Sequence, residues 1–228
     1  MPKYFIDFEF IEGFHKPLFG KRRHFIDMIS VGICCDDGRE YYAVSTDFSP
    51  EDANDWVKNN VIKKLPAKKI VVKHGMYEYA TFRNEPNPIW KCQKEIIKDL
   101  LEFFMCERED GNWYAPEGIE VYGYYSDFDW VLFASLFGRM IDLPRGFPMY
   151  CIDLKQILDE KVDSILFSSR LKFDVMGSTS RPNIPLKEKL EKVKAHPEFP
   201  KQLNEHDALA DAKWNYELYK FMQTIKTV

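Results

Sequence analysis

The chain has 228 residues, with 32 Lys+Arg against 36 Asp+Glu and a formal net charge of −4. A 45% hydrophobic, 15% aromatic composition and a mean hydropathy of −0.40 are enough to build a core and exclude wholesale disorder, and no stretch approaches the roughly 18 uncharged apolar residues of a membrane span. The acidic balance argues against a protein that coats nucleic acid electrostatically, yet leaves room for a local basic patch or for carboxylates that hold metal ions.

In chain order, residues 3–10 (Lys-Tyr-Phe-Ile-Asp-Phe-Glu-Phe) read as a first strand, rich in aromatic and β-branched side chains. A loop with Gly13, Pro17 and Gly20 leads to a second strand at 25–34, and Asp36-Asp37-Gly38 turns the chain into a third at 41–44. Ser49-Pro50-Glu51-Asp52 predicts a helix to about Lys64, capped by Ser49. Residues 66–88 show little periodicity, whereas 90–106 have helical spacing through Ile96, Leu100 and Phe104. Residues 119–125 and 149–153 read as strands, and 129–137, 154–158 and 207–226 as helices. No repeat or second core is visible, so the economical reading is one α/β domain over residues 1–228.

Five cysteines, Cys34, Cys35, Cys92, Cys106 and Cys151, include no C-x-x-C pair and suit neither a disulfide framework nor a zinc cluster. Free thiols and a cytoplasmic setting are expected. The opening MPKYFIDFEF carries no basic run followed by an apolar stretch, so no signal peptide is expected.

The chemistry lies in the acids. Asp7 and Glu9, two apart in a strand, project on one face with Phe8 and Phe10 on the other, towards the core. Crowded carboxylates raise each other's pKa unless a cation sits between them. In the last helix Asp211, Trp214, Leu218, Phe221 and Ile225 form one stripe, so Asp211 either has a partner or lies at the stripe's edge reaching water. Asn204 and Asp207 fit helix capping. His206, about 140° round an ideal helix from Asp211, belongs on the entering loop, where it is a surface histidine or a proton acceptor above the acid. In Tyr-Ser-Asp-Phe-Asp-Trp (125–130), Asp127 is the better capping residue and Asp129 is free for another role. Residues 161–204 hold nine basic against five acidic side chains, either a nucleic-acid face or a solvated surface. Lys16, Lys21, Arg22 and Arg23, in the loop from His15 to His24, carry the same two readings.

Asp-x-Glu (Asp7, Glu9), Phe-Asp (Phe128, Asp129) and His-x-x-x-x-Asp (His206, Asp211), in this order, resemble the histidine-containing DEDD exonucleases with a ribonuclease H-like fold. Tyr-Phe-x-Asp-x-Glu-Phe-Ile-Glu (4–12), Asp-Gly-Arg-Glu-Tyr-Tyr-Ala-Val-Ser-Thr (37–46) and His-Asp-Ala-Leu-x-Asp-Ala (206–212) are similar to the ribonuclease AS type within the ribonuclease T group, with weaker matches at Trp56-Val57 and Leu65-Pro66. Segments 13–23, 67–87 and 161–203 stand out as insertions. The resemblance implies a mixed sheet flanked by helices, and two Mg²⁺ or Mn²⁺ ions on Asp7, Glu9, Asp129 and Asp211. It also implies His206 as general base, 3′→5′ removal of 5′ nucleoside monophosphates from single-stranded RNA, and a homodimer. Phe10 and Phe128 are then candidates to stack on the last base, or else core aromatics. The rival readings are a 3′→5′ exonuclease on single-stranded DNA, a non-catalytic nucleic-acid-binding module and a structural cation site.

Overall fold

The structure is a computed structural model that describes residues 1–15, 19–72, 83–168 and 184–224. β1 (Lys3–His15) and β2 (Arg23–Cys35) pair antiparallel from Tyr4 opposite Cys35 to His15 opposite Arg23, with a bulge between Glu9 and Phe10. Both strands run 13 residues, longer than the sequence pattern predicts, because the flanks expected as loop pair with each other. β3 (Glu40–Ser45) follows the turn at Gly38 and pairs antiparallel with β2.

The helix expected over 49–64 is broken. A 3₁₀ turn (Pro50–Asp52) ends at the buried, extended Ala53, and Asn54 then starts a new helix, α1 (Asp55–Asn60), by accepting the Val57 N–H at 2.9 Å. Ser49 makes no side-chain cap, and a second 3₁₀ turn covers Ile62–Lys64. β4 (Lys69–Val72) pairs antiparallel with β5 (Arg83–Pro86), and β6 (Trp90–Lys91) occupies the start of the helix expected from 90. That helix is α2 (Gln93–Phe103), where Glu95 accepts the Cys92 N–H at 2.8 Å. β7 (Glu107–Glu109) and β8 (Asn112–Tyr114) make a small hairpin. β9 (Glu120–Gly123), α3 (Asp127–Leu136), β10 (Ile152–Asp153), α4 (Leu154–Ser168), α5 (Leu186–Lys194) and α6 (Ala208–Thr224) complete the chain.

The main sheet has the order β10-β9-β1-β2-β3-β6, with β2 alone running against the rest. It is a mixed sheet flanked by helices, consistent with a ribonuclease H-like fold. Alternation along β1 sends Tyr4, Ile6 and Phe8 into a core with Ile96, Leu100 and Phe104 of the α2 region and Phe133 of α3, while Phe5 packs with Leu154 and Leu158 of α4 and Leu218 and Met222 of α6. A smaller cluster of Ile11, Ile29, Ala53 and Val61 sits beneath α1.

Two contacts seat α6 on the sheet. A Cβ on Gly32 would lie 2.2 Å from the backbone carbon and oxygen of Ala208, so the helix start lies directly on β2 where glycine leaves room. The buried Asn215 donates its amide to the Ile6 carbonyl at 3.0 Å, joining α6 to β1 one residue before Asp7.

All five cysteines are free thiols, and no helix among the described residues is long and apolar enough to cross a membrane. Parts of the segments 13–23, 67–87 and 161–203, with Lys16, Arg170, Lys172, Arg181 and, at the end of the expected stripe, Ile225, lie outside the described residues.

Candidate active site

Asp7 stands opposite Gly32 and Glu9 opposite Ser30, on the face of β1 that α6 covers. Asp207 caps that helix, accepting the Ala210 N–H at 2.9 Å, as its sequence position suggests. One turn further in, Asp211 is buried. It does not lean out to water at the edge of its stripe: Gln202 donates to its Oδ1 at 2.7 Å and the His206 backbone N–H to its Oδ2 at 2.8 Å.

His206 lies on the loop, as its spacing requires, with a left-handed backbone at φ 67°. Its Nδ1 is 3.9 Å from Glu9 Oε1, and ligand atoms of Glu9, His206 and Asp211 all lie within 4.8 Å of one another. The Trp56 indole meets the imidazole edge to face, with centroids 4.8 Å apart, and Lys64 donates to the Glu205 carbonyl at 2.8 Å. The loop is thus held from α1 and from the turn after it.

Asp129 enters from α3, where it is buried and accepts the Phe8 N–H at 2.7 Å across 121 residues of sequence. Asp127 is not the cap. Ser126 holds the N-cap position without a side-chain cap bond, because α3 begins two residues earlier than its apolar run and takes Asp127 into its first turn.

The electrostatics describe a site short of positive charge. Burial raises the Asp7 carboxyl well above its ordinary range, and the charges of Asp129, Asp211 and Glu9 add to it. Glu9 is pushed up to about 8 by burial and then by Asp211 and Asp129, with Lys64 opposing weakly. Asp129 rises to about 7, chiefly from burial, against the lowering effect of the Phe8 N–H. Asp211 is raised by burial although Gln202 and the His206 N–H counter it. All four carboxyl groups are therefore pushed towards the neutral form, chiefly by burial. A set of carboxylate oxygens beside one imidazole has the donor chemistry that Mg²⁺ and Mn²⁺ prefer, and binding such ions would relieve the crowding.

Phe10 and Phe128 come together, their rings stacked at 5.9 Å, with Phe10 half-buried against the α2–α3 core and Phe128 exposed. Lys21, Arg22 and Arg23 sit at the far end of the β1–β2 ribbon, about 20 Å along it from Glu9. Arg22 there covers the Phe14 ring.

Gln202, Lys64 and Asn215 are site-supporting residues that the sequence reading passes over, and Trp56 enters it only as a weak motif match. Asn215 carried a usable signal, a polar residue four after Asp211 on the packed face. Gln202 and Lys64 reach the site only through tertiary contacts and carry none.

Residues 3–223 match the family described as the 3'-5' exoribonuclease Rv2179c-like domain. The 3'-5' exoribonuclease Rv2179c of Mycobacterium tuberculosis strain H37Rv is 33% identical over 159 residues, 70% of this chain and 75% of the relative, and the 3'-5' exoribonuclease MT2234.1 of strain CDC 1551 matches to the same extent. With the fold and this convergence of acids beside a histidine, the match makes the chain a member of the 3'-5' exoribonuclease Rv2179c-like family and an exonuclease.

Proposed function

We propose that the protein is a 3′→5′ exoribonuclease of the histidine-containing DEDD type, similar to ribonuclease AS, which removes 5′ nucleoside monophosphates from single-stranded RNA. The observation that carries this reading is the convergence of four carboxylates and one imidazole, from segments scattered over the chain, in a member of an exoribonuclease family.

In this reading Asp7, Glu9, Asp129 and Asp211 hold two divalent cations. Bound there, the cations supply positive charge against the phosphodiester and the departing 3′ oxygen. His206 accepts the proton of the attacking water as the new O–P bond forms and the P–O3′ bond breaks, leaving a nucleoside 5′ monophosphate and a shortened strand. Asp211 anchors the His206 backbone, Trp56 restricts rotation of the imidazole, and the exposed Phe128 ring, backed by Phe10, stacks on the terminal base.

The test is denaturing-gel analysis of 5′-labelled polyadenylate, mixed-sequence RNA and matched DNA with Mn²⁺, for wild type and His206→Ala. A ladder shortening from the 3′ end of RNA, greatly slowed by the substitution and stopped by EDTA, is expected. Preferential shortening of DNA, or intact RNA throughout, overturns the reading.

A further inference from the structure

A cleft of about 980 Å³ opens beside the catalytic acids, between α5, the loop into α6, and the β9–α3 junction. It sits at the upper end of the roughly 300–1,000 Å³ range of ligand pockets and exceeds what one terminal nucleotide needs. Its wall carries Lys155 from α4, Lys187 and Lys194 from α5, and Lys201 from the loop, against two acids, Glu191 and Glu205. Lys155 pairs with Asp159 and Lys194 with Glu191, whereas Lys187 and Lys201 have no carboxylate partner among the described residues. Among the basic residues of 161–204 that the structure describes, Lys161 bonds the Met222 carbonyl and Lys189, Lys192 and Lys194 pair with acids, which leaves Lys187 and Lys201 uncommitted, and both line the cleft.

An aromatic platform lies at the same place. Tyr125 is 64% exposed and held at a left-handed φ of 56°, with its ring against Tyr124 and beneath the Lys155 ammonium. Tyr124 in turn packs edge-on against Trp214, whose indole N–H is bonded to the Pro200 carbonyl at 3.0 Å, so the platform has a fixed floor. The cleft also reaches the catalytic centre: Gln202, in its wall, donates to Asp211, and Glu205 adjoins His206.

Uncommitted ammonium groups beside an exposed ring match an anionic polymer that carries planar bases. We propose that this cleft is an upstream subsite that binds the nucleotides preceding the scissile one, with a base on Tyr125 and phosphates on Lys187 and Lys201. The inference rests on the exoribonuclease reading and adds the substrate's path, in a segment that stands out as an insertion.

Two measurements test it with the full chain. Lys187→Glu/Lys201→Glu and Tyr125→Ala are compared with wild type in steady-state hydrolysis of oligoadenylates from dinucleotide to decanucleotide with Mn²⁺. Binding of a fluorescent decanucleotide in EDTA is followed by anisotropy. Wild-type KM falls as the oligomer lengthens, and each variant flattens that fall, with a KM for the decanucleotide about tenfold higher. The charge-reversal variant binds with a salt slope shallower by about 1.4, near 0.7 for each lost phosphate contact to a single strand. Equal decanucleotide affinity and salt slope in wild type and variant overturn the subsite, whether or not the RNA is cut. Absence of hydrolysis in wild type overturns the exoribonuclease reading instead, and the anisotropy comparison still decides the subsite.

Discussion

Gly32→Ala is a single-methyl test of how the site is assembled. The added Cβ would lie 2.2 Å from the Ala208 carbon and oxygen and 2.3 Å from the Leu209 nitrogen, all backbone atoms that no rotamer change can move. Restoring ordinary contact near 3.4 Å shifts the start of α6 outward by about 1 Å. Overpacking of this kind costs about 1–3 kcal/mol, offset in part by the 0.5–1 kcal/mol that alanine gains over glycine in a strand, so a net loss of about 1–2 kcal/mol is expected. For a chain of this size that lowers Tm by roughly 2–8 °C. Activity suffers more. Asp211 and the His206 loop ride on the displaced helix start while Asp7 stays on β1, and a 1 Å misplacement costs about a hundredfold in rate. The assay pairs thermal melting with kcat/KM on oligoadenylate, using Gly38→Ala as the control. Gly38 has φ of 91° and open space around it, so alanine there strains the backbone without touching α6. A Gly32→Ala protein with wild-type melting and rate, or a Gly38→Ala protein equally inactive, refutes the reasoning.

Three further outcomes are expected. In EDTA, Tm falls as pH rises through about 7 and then about 8, because Asp129 and Glu9 have folded pKa values above their ordinary 3.8 and 4.5, and the stability they contribute when protonated is lost on ionisation. Mn²⁺ then raises Tm more at pH 8.5 than at pH 6, and a pH-independent increment by differential scanning fluorimetry would contradict the crowding. Asp7→Asn, which replaces the carboxylate hemmed in by Asp129, Asp211 and Glu9, melts higher than wild type at pH 8.5 in EDTA yet releases no nucleotide; an unchanged or lower Tm counts against it. Trp56→Ala, at an exposed indole, leaves the unfolding free energy within about 0.5 kcal/mol of wild type but reduces kcat several-fold with KM little changed, and Trp56→Phe restores the rate; a pure KM effect would place Trp56 on the substrate rather than on His206.

The site was more legible in the sequence than its supports. Asp7, Glu9 and Asp129 sit in motifs whose spacing follows strand and helix periodicity, and the five-residue interval from His206 to Asp211 correctly separated loop from helix. The antiparallel β1–β2–β3 ribbon was legible because its strands alternate and its turn at Gly38 is local. A two-residue strand such as β6 has no local signature, since its pairing with β3 is imposed by a neighbour distant in sequence. The break in the 49–64 helix turned on Asn54 competing with Ser49 as the cap, a choice settled by burying Ala53. Whether Asp211 was buried or at an edge depended on Gln202, from a loop whose approach no helical pattern encodes.

The bond from Asp129 to Phe8 joins residues 121 apart, and that from Asn215 to Ile6 joins residues 209 apart. Contacts of such long range form late in folding, since their loop entropy is met only once the intervening sheet is in place. The set of converging acids is therefore an indicator of completed folding: no early hairpin or isolated helix pair contains it. A chain arrested partway, or one from which α6 has peeled away, keeps Asp7 and Glu9 but loses Asp211 and the fixed His206. Nuclease activity should then vanish in step with detachment of the last helix, ahead of any loss of the β1–β2–β3 ribbon.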